Sequence, residues 1–231
     1  VKEEAMWATG FFPADRNEIY QVNPGDDQLF LVGTAEVPLT MLHAGKILEQ
    51  KDLPKHYVGF SSCFRREAGS YGKDVNGILR VHQFDKIEMY SFCHPDQSEK
   101  EHELILSIEE EIMQELGFHY QVVNICSGDL GSSATKKYDI EVWIPTQNKF
   151  RELTSCSNCT DYQARRANIK FKDETGQKHF ANTLNGTACA IGRTLIAILE
   201  NNQNADGTVT IPEILRPYLG EKDLITRKLP L

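Results

Sequence analysis

The sequence predicts an α+β fold, an antiparallel β-sheet flanked by helices, and three observations lead there. Strand-like runs follow one another through turn signals instead of alternating with helices, which favours an antiparallel sheet over a doubly wound one. Tyr138, Ile140, Val142 and Ile144 alternate with Asp139, Glu141 and Trp143, the period of a strand. Residues 98–116 carry Leu104, Ile105, Ile108, Ile112 and Met113 at helical spacing, with Gly117 as a stop.

The other elements follow from local signals. Thr9-Gly10-Phe11-Phe12-Pro13 reads as a loop. Ile19-Tyr20-Gln21-Val22 and Leu29-Phe30-Leu31-Val32 flank Asn23-Pro24-Gly25-Asp26-Asp27, a turn signal that predicts a hairpin. Residues 34–48 read as a helix, with Thr34 as N-cap, Glu36 in the first turn and Pro38 early enough to be tolerated. Residues 56–64 read as a strand and 81–92 as its antiparallel partner. Residues 150–155 make a further strand and 161–168 a short helix. Residues 169–171 and 179–184 flank Glu174-Thr175-Gly176, a second hairpin signal, and 188–203 read as a largely apolar helix bearing Arg193.

Length and composition set the bounds. The 231 residues suffice for one large domain, and 1–231 is read as a single catalytic domain. Val1-Lys2-Glu3-Glu4 has no signal-peptide pattern and no initiator Met, so the chain is read as a fragment of a longer one. Hydrophobic residues make up 40% and charged ones 25%, as in a soluble globular protein. No apolar run nears the ~20 residues that cross a membrane, so no membrane partner is expected. The net charge of −8 gives no global support for nucleic-acid binding and leaves a local patch open. The six cysteines need no disulfides in a chain this long, which points to a reducing, cytoplasmic setting. Cys156-Ser157-Asn158-Cys159 has half a zinc site's spacing and is read as structural.

The chemistry concentrates in Phe64-Arg65-Arg66-Glu67-Ala68-Gly69 and in Arg80-Val81-His82-Gln83-Phe84 followed by Glu88. A guanidinium forks onto phosphate, and an aromatic ring offers a flat face to a base. On a strand, Arg80, His82, Phe84, Lys86 and Glu88 share one side, with Val81, Ile87 and Met89 on the other. Taken alone this reads first as the solvated face of a surface hairpin; the neighbouring Arg65-Arg66-Glu67 run and the loop Ala68-Gly69-Ser70-Tyr71-Gly72 reverse that and favour a ligand-binding floor. His82 is read as structural.

Three further runs join this one in order: Gly33-Thr34-Ala35-Glu36, then 151–159 (Arg-Glu-Leu-Thr-Ser-Cys-Ser-Asn-Cys), then 184–193 (Leu-Asn-Gly-Thr-Ala-Cys-Ala-Ile-Gly-Arg). Together, over nearly all of residues 9–220, they resemble the catalytic domain of the seryl-tRNA synthetase family of class II aminoacyl-tRNA synthetases, with 64–88 as motif 2 and 184–193 as motif 3. The resemblance implies the class II catalytic fold, ATP and Mg2+, L-serine and tRNA(Ser). Its implied catalytic residues are Arg65, on the α-phosphate, and Arg193, which with Arg80 holds the γ-phosphate and pyrophosphate. Phe84 stacks on adenine and Glu67 accepts from its amine; Arg66, Val81, Leu153 and Thr154 complete the nucleotide set. Glu152 and Ser155 are the implied Mg2+ ligands. Strict alternation puts those two on opposite faces, so a bend is required there. Thr34, Ala35, Glu36, Arg65, Glu88, Asn185 and Thr187 surround serine.

Two departures accompany the resemblance. Thr187-Ala188-Cys189 stands where Ser-Gly-Leu is frequent, so Thr187 takes the serine-contacting place. The chain starts about where the family's motif 1 ends and carries no coiled-coil arm, so the homodimer contacts and the long-range tRNA grip are expected of the full-length protein and not of this piece. Three alternatives stay open: an arm-less paralogue that adenylates a small amino acid for a carrier protein, a non-catalytic regulatory paralogue, and a different class II synthetase.

Overall fold

The computed structural model describes residues 1–22, 28–68 and 78–226. The expected turn at 23–27 lies outside them, as do residues 69–77 and 227–231. Helix α1 (Glu3–Thr9) was not expected; Glu3 and Glu4 sit at its positive end and Gly10 closes it at φ +90°, its N–H donating to Trp7 O. Strands β1 (Gln21–Val22) and β2 (Leu29–Phe30) form the predicted hairpin. Helix α2 (Glu36–Met41) starts as expected, with Thr34 Oγ1 accepting from the Glu36 N–H.

It ends seven residues early, which corrects the helix read over 34–48. Residues 42–45 turn instead, the Gly45 N–H donates to Ala167 O, and β3 (Ile47–Glu49) follows. Strand β4 (Lys55–Phe64) and β5 (Gln83–Cys93) form the long antiparallel pair, with Gly59 opposite Glu88 and Phe64 opposite Gln83. Helix α3 (Ser98–Glu115) ends at Gly117 as read, but its buried stripe differs. Leu104 is exposed, while Glu101, His102 and Glu109 are buried beside Ile105, Leu106 and Met113.

Strand β6 (Tyr120–Asn124), missed in the sequence, pairs with β7 (Lys136–Ile144), which pairs in turn with β8 (Lys149–Asn158). Helix α4 (Tyr162–Arg166) leads to β9 (Lys170–Lys172) and β10 (Lys178–Phe180), the second predicted hairpin; β9 also takes β3 as a parallel neighbour. Strand β11 (Asn182–Ala190) runs further than expected. Residues 188–190 are strand, not helix, because Cys189 and Ala190 pair with Ile87 and Lys86; helix α5 (Ile191–Asn201) begins only after them. Strands β12 (Val209–Thr210) and β13 (Leu224–Ile225) pair near the C-terminus.

The main sheet is six-stranded and antiparallel, in the order β4-β5-β11-β8-β7-β6. One face buries Met89, Leu184, Ile140 and Val142 against Ile105, Leu106 and Met113 of α3 and Ala197 and Ile198 of α5. Each such side chain contributes roughly 1.5–3 kcal/mol on burial. On the opposite face Tyr90 and Phe92 are covered by Ala8, Ala164 and Phe171. Further along β5 that same face presents Glu88, Lys86 and Phe84, the floor of the site.

Two bulges shape that floor. Ile140 faces Thr154 while Glu141 faces Glu152, so Leu153 is the extra residue of β8. Thr187 faces Glu88 while Cys189 faces Ile87, so Ala188 is the extra residue of β11. Strands β11 and β8 pair only as far as Gly186 with Cys156. Beyond that rung they part, and the cleft lies in the gap. Bulges beside a site re-aim side chains in this way.

Candidate active site

The cleft opens between β5, β8, β11 and the start of α5, and the segments at 65–67 and 78–81 close its outer wall. Arg65 leaves the end of β4, and its guanidinium donates to Gly33 O at 3.3 Å and lies 5.3 Å from the centre of the Phe84 ring. A cation and an aromatic face therefore share one wall. The Glu67 carboxylate is ion-paired with Arg80, which enters the cleft just before β5. Glu67 itself has φ +54°, a conformation that side chains other than glycine adopt rarely. At the far wall Arg193, in the first turn of α5, donates to Glu152 O at 2.8 Å and to Leu79 O at 3.4 Å, and lies 3.6 Å from the Glu152 carboxylate. The α5 N-terminus opens on the cleft through Ala190 and Gly192, adding its own positive end to the guanidinium.

The Leu153 bulge supplies the bend that alternation demanded. Glu152 and Ser155 lie opposite Glu141 and Asp139, two residues of one face of β7, so the two hard oxygen donors point the same way. Both line the cleft. Leu153 and Thr154 line it as well, but their side chains turn to the helical side: Leu153 joins the core, and Thr154 Oγ1 donates to Glu109 of α3 at 3.3 Å. Main chain is what they offer a ligand.

Deeper in, the floor becomes acidic. Glu88 is 1% exposed and ion-paired with Lys86, and Thr187 Oγ1 donates to Glu88 at 3.4 Å. Glu36, at the start of α2, accepts from Gln163 Nε2 at 2.7 Å. Burial, and then repulsion from Glu88, pushes its carboxyl up to about 7. Gln163 also accepts from Tyr90 and Thr183, so one amide ties α4, β5 and β11 to the carboxylate. Asn185, 7% exposed, donates to Cys159 Sγ at 3.7 Å. Two buried acids, a hydroxyl and an amide thus adjoin a cleft lined by Arg65, Arg80 and Arg193. That arrangement suits a small cationic head next to a polyphosphate.

A protein-family model described as the tRNA synthetase class II core domain (G, H, P, S and T) matches residues 19–202. The chain belongs to the class II tRNA synthetase core family. The serine–tRNA ligase of Thermosipho melanesiensis is 54% identical over 220 residues, 95% of this chain and 51% of that protein. A crystal structure of seryl-tRNA synthetase from Pyrococcus horikoshii complexed with ATP superposes with a TM-score of 0.95 at 50% identity, over 99% of this chain and 51% of that one. The cytoplasmic serine–tRNA ligase of Naegleria fowleri in complex with AMP superposes at 0.93 with 40% identity, over 99% of this chain and 54% of that one. The chain spans about half the length of these relatives.

With the class II core as frame, the expected residues fall into three groups. Arg65, Glu67, Arg80, Val81, Phe84, Glu152, Leu153, Thr154, Ser155, Thr187 and Arg193 line the cleft. Thr34, Ala35, Glu36, Glu88 and Asn185 are buried and are not part of that lining. Arg66 does neither: its side chain is exposed, away from the cleft lining, and its N–H is held by Glu18 O at 2.8 Å. His82 lies outside the cleft lining too, hydrogen-bonded to Tyr20. Cys156 packs in the core under α3, apart from Cys159, which meets Asn185. Sequence reasoning missed Gln163 and gave Lys86 no role. Lys86 carried a signal, a lysine on the same strand face as Glu88; Gln163 carried none, because its partners are remote in sequence.

Proposed function

We propose that this chain is the catalytic core of an ATP-dependent serine–tRNA ligase, which activates L-serine as seryl-adenylate and passes it to the 3′ end of tRNA(Ser). The reading draws on the relatives, which are serine–tRNA ligases, one of them complexed with ATP. A single observation carries it: the cleft lined by Arg65, Phe84 and Arg193 also takes in Thr187, whose hydroxyl donates to the buried Glu88, itself charge-coupled to the buried Glu36.

The serine carboxylate, ionised at neutral pH, attacks the α-phosphorus of ATP. A carboxylate–phosphorus bond forms, the bond to the β-phosphate oxygen breaks, and pyrophosphate leaves, so no general base is needed. Arg65 neutralises charge on the α-phosphate; Arg80, Arg193 and the α5 N-terminus hold the departing phosphates. Phe84 stacks on adenine. Glu67 and Arg80 pair with each other. If Glu67 takes the adenine amine and Arg80 the γ-phosphate, the bound triphosphate must therefore fold back toward its base. Glu152 and Ser155, hard oxygen donors on one face, would hold a Mg2+, which would neutralise charge on the phosphates. Glu36 and Glu88 receive the serine ammonium, and Thr187 with Asn185 its hydroxyl side. In the second step the tRNA 3′ hydroxyl attacks the carbonyl carbon, an ester forms, the bond from that carbon to the phosphate oxygen breaks, and AMP leaves while the hydroxyl proton passes to its phosphate or to solvent.

The partners are serine, ATP and tRNA(Ser), in the cytoplasm, with a homodimer in the full-length protein. The six cysteines are free thiols, and no helix among the described residues is long and apolar enough to cross a membrane. Strand β4 is a sheet edge bearing Val58 and Phe60, 70% and 69% exposed, a surface suited to self-association. Amino-acid-dependent exchange of pyrophosphate into ATP tests the reading. Serine supports exchange, and equal exchange with glycine or alanine would overturn the serine assignment.

A further inference from the structure

Lys86 is 8% exposed, and a lysine that far from water needs a partner. It lies on the cleft side of β5, between Ser61 of β4 and Ala190 of β11. Those small neighbours leave its long stem room to fold along the strand. Two residues on, its ammonium meets Glu88 in an ion pair and lies 3.4 Å from Thr187 Oγ1. Thr187 Oγ1 in turn donates to the same Glu88 oxygen that Lys86 contacts. Three side chains from two strands close a small triangle, and the established motifs leave its cation unassigned.

We propose that Lys86 is a positioning residue for the amino-acid pocket: its ammonium is the fixed counter-charge of Glu88 and aims Glu88 and Thr187 at the incoming amino acid. The inference rests on the serine-activating reading. The charge pattern argues for it. Glu36 and Glu88 repel one another, and both must be ionised to receive an ammonium. The groups around them are Arg65 from the end of β4, the Cys63 thiol of β4, Tyr90 of β5, the Gln163 amide of α4, Cys159 after β8, and Glu109 of α3 beneath the sheet. Glu109 adds repulsion to Glu88, and burial pushes its own carboxyl well above the ordinary value. Among these neighbours the cations are Lys86 and Arg65, and Arg65 is exposed and committed to the nucleotide wall. Without Lys86, Glu36 would lose a cation that favours its ionised form, and the ammonium site would charge only at higher pH.

Serine-dependent pyrophosphate exchange decides the matter, run on wild type, Lys86→Met, Glu88→Gln and the double variant across pH 6–9. Removing one partner of a buried pair is expected to lower kcat/KM for serine by about 10²-fold or more, while KM for ATP moves by less than about threefold. The acid limb of the Lys86→Met profile moves to higher pH. The double variant is no worse than Glu88→Gln alone, because Lys86 acts through Glu88. Additive losses, an unmoved acid limb, or equal rises in both KM values would each overturn the proposal, since a packing role predicts them. Lys86→Arg, which keeps the charge, recovers most of the loss and serves as the comparison if the Met variant does not fold. The wild-type arm separates the two hypotheses: if another small amino acid and not serine drives exchange, the serine reading fails, and the Lys86 comparison proceeds with that amino acid.

Discussion

Gly186→Ala isolates the packing that places the amino-acid pocket. Gly186 lies in β11 between β5 and β8, at the last rung before the cleft opens. A Cβ there would overlap Ile105 Cγ2 and lie 2.8 Å from Glu109 Oε1 and 3.1 Å from Cys156 Cβ. The strand is paired on both sides, so it cannot retreat; α3 must shift instead. Overpacking of this kind costs about 1–3 kcal/mol, and contacts this short belong at the upper end. The lower entropy of an unfolded chain with alanine offsets about 0.4–1 kcal/mol. The net loss is about 2 kcal/mol, a fall in Tm of about 4–8 °C for a chain of this size. Because Asn185 and Thr187 flank the site, KM for serine should rise as well, while KM for ATP holds. Calorimetry and exchange kinetics on the same preparation measure both. Gly128→Ala, where a Cβ meets nothing within 4 Å, is the matched control. A Gly186→Ala protein that melts with the wild type would refute the close approach of α3 to the sheet.

Arg65→Ala lowers kcat by about 10²-fold or more with a smaller change in ATP affinity, whereas Phe84→Ala raises KM for ATP and spares kcat; steady-state kinetics separates the two, and near-normal turnover without Arg65 would count against its role. Thr187→Val harms serine activation more than alanine activation, because a pocket built around a hydroxyl leaves Glu88 and Lys86 underpaired without one; an unchanged ratio of the two kcat/KM values removes Thr187 from the site. Glu36 titrates near 7, so serine kcat/KM should fall as pH drops below that value. For stability the sign is opposite. The folded carboxyl sits above its unfolded value of 4.5, so its contribution is complete below that pH and is lost as pH rises toward 7. Glu36→Gln should therefore stabilise the fold at pH 8, by on the order of 3 kcal/mol, and do little at pH 4, while abolishing serine activation; equal melting shifts at both pH values would show that burial does not perturb this acid.

Much of the protein was legible in one dimension, and the reason is locality. The Arg65-Arg66-Glu67 run, the Thr34 cap, the Gly117 stop and the alternation in β7 each act within a few residues, so their chemistry is written where it is used. The antiparallel fold class follows from turn signals in the same way. What escaped depends on partners far along the chain. The helix read over 34–48 yields to β3 because β9, more than a hundred residues on, captures its backbone. Residues 188–190 are apolar enough for helix, yet β5 holds them as strand. Arg66 shares a motif with Arg65 but stays off the cleft lining, where the backbone leaves β4 and Glu18 O holds the Arg66 N–H. The Leu153 bulge, which puts Glu152 and Ser155 on one face, exists only in register with β7. Gln163 and Lys86 matter because sheet pairing and helix packing set them beside Glu36, Glu88 and Thr187. The sequence by itself determined which chemical groups are present and in what local conformation. The tertiary structure alone decided which of them meet, because long-range pairing is a property of two segments that neither one encodes separately.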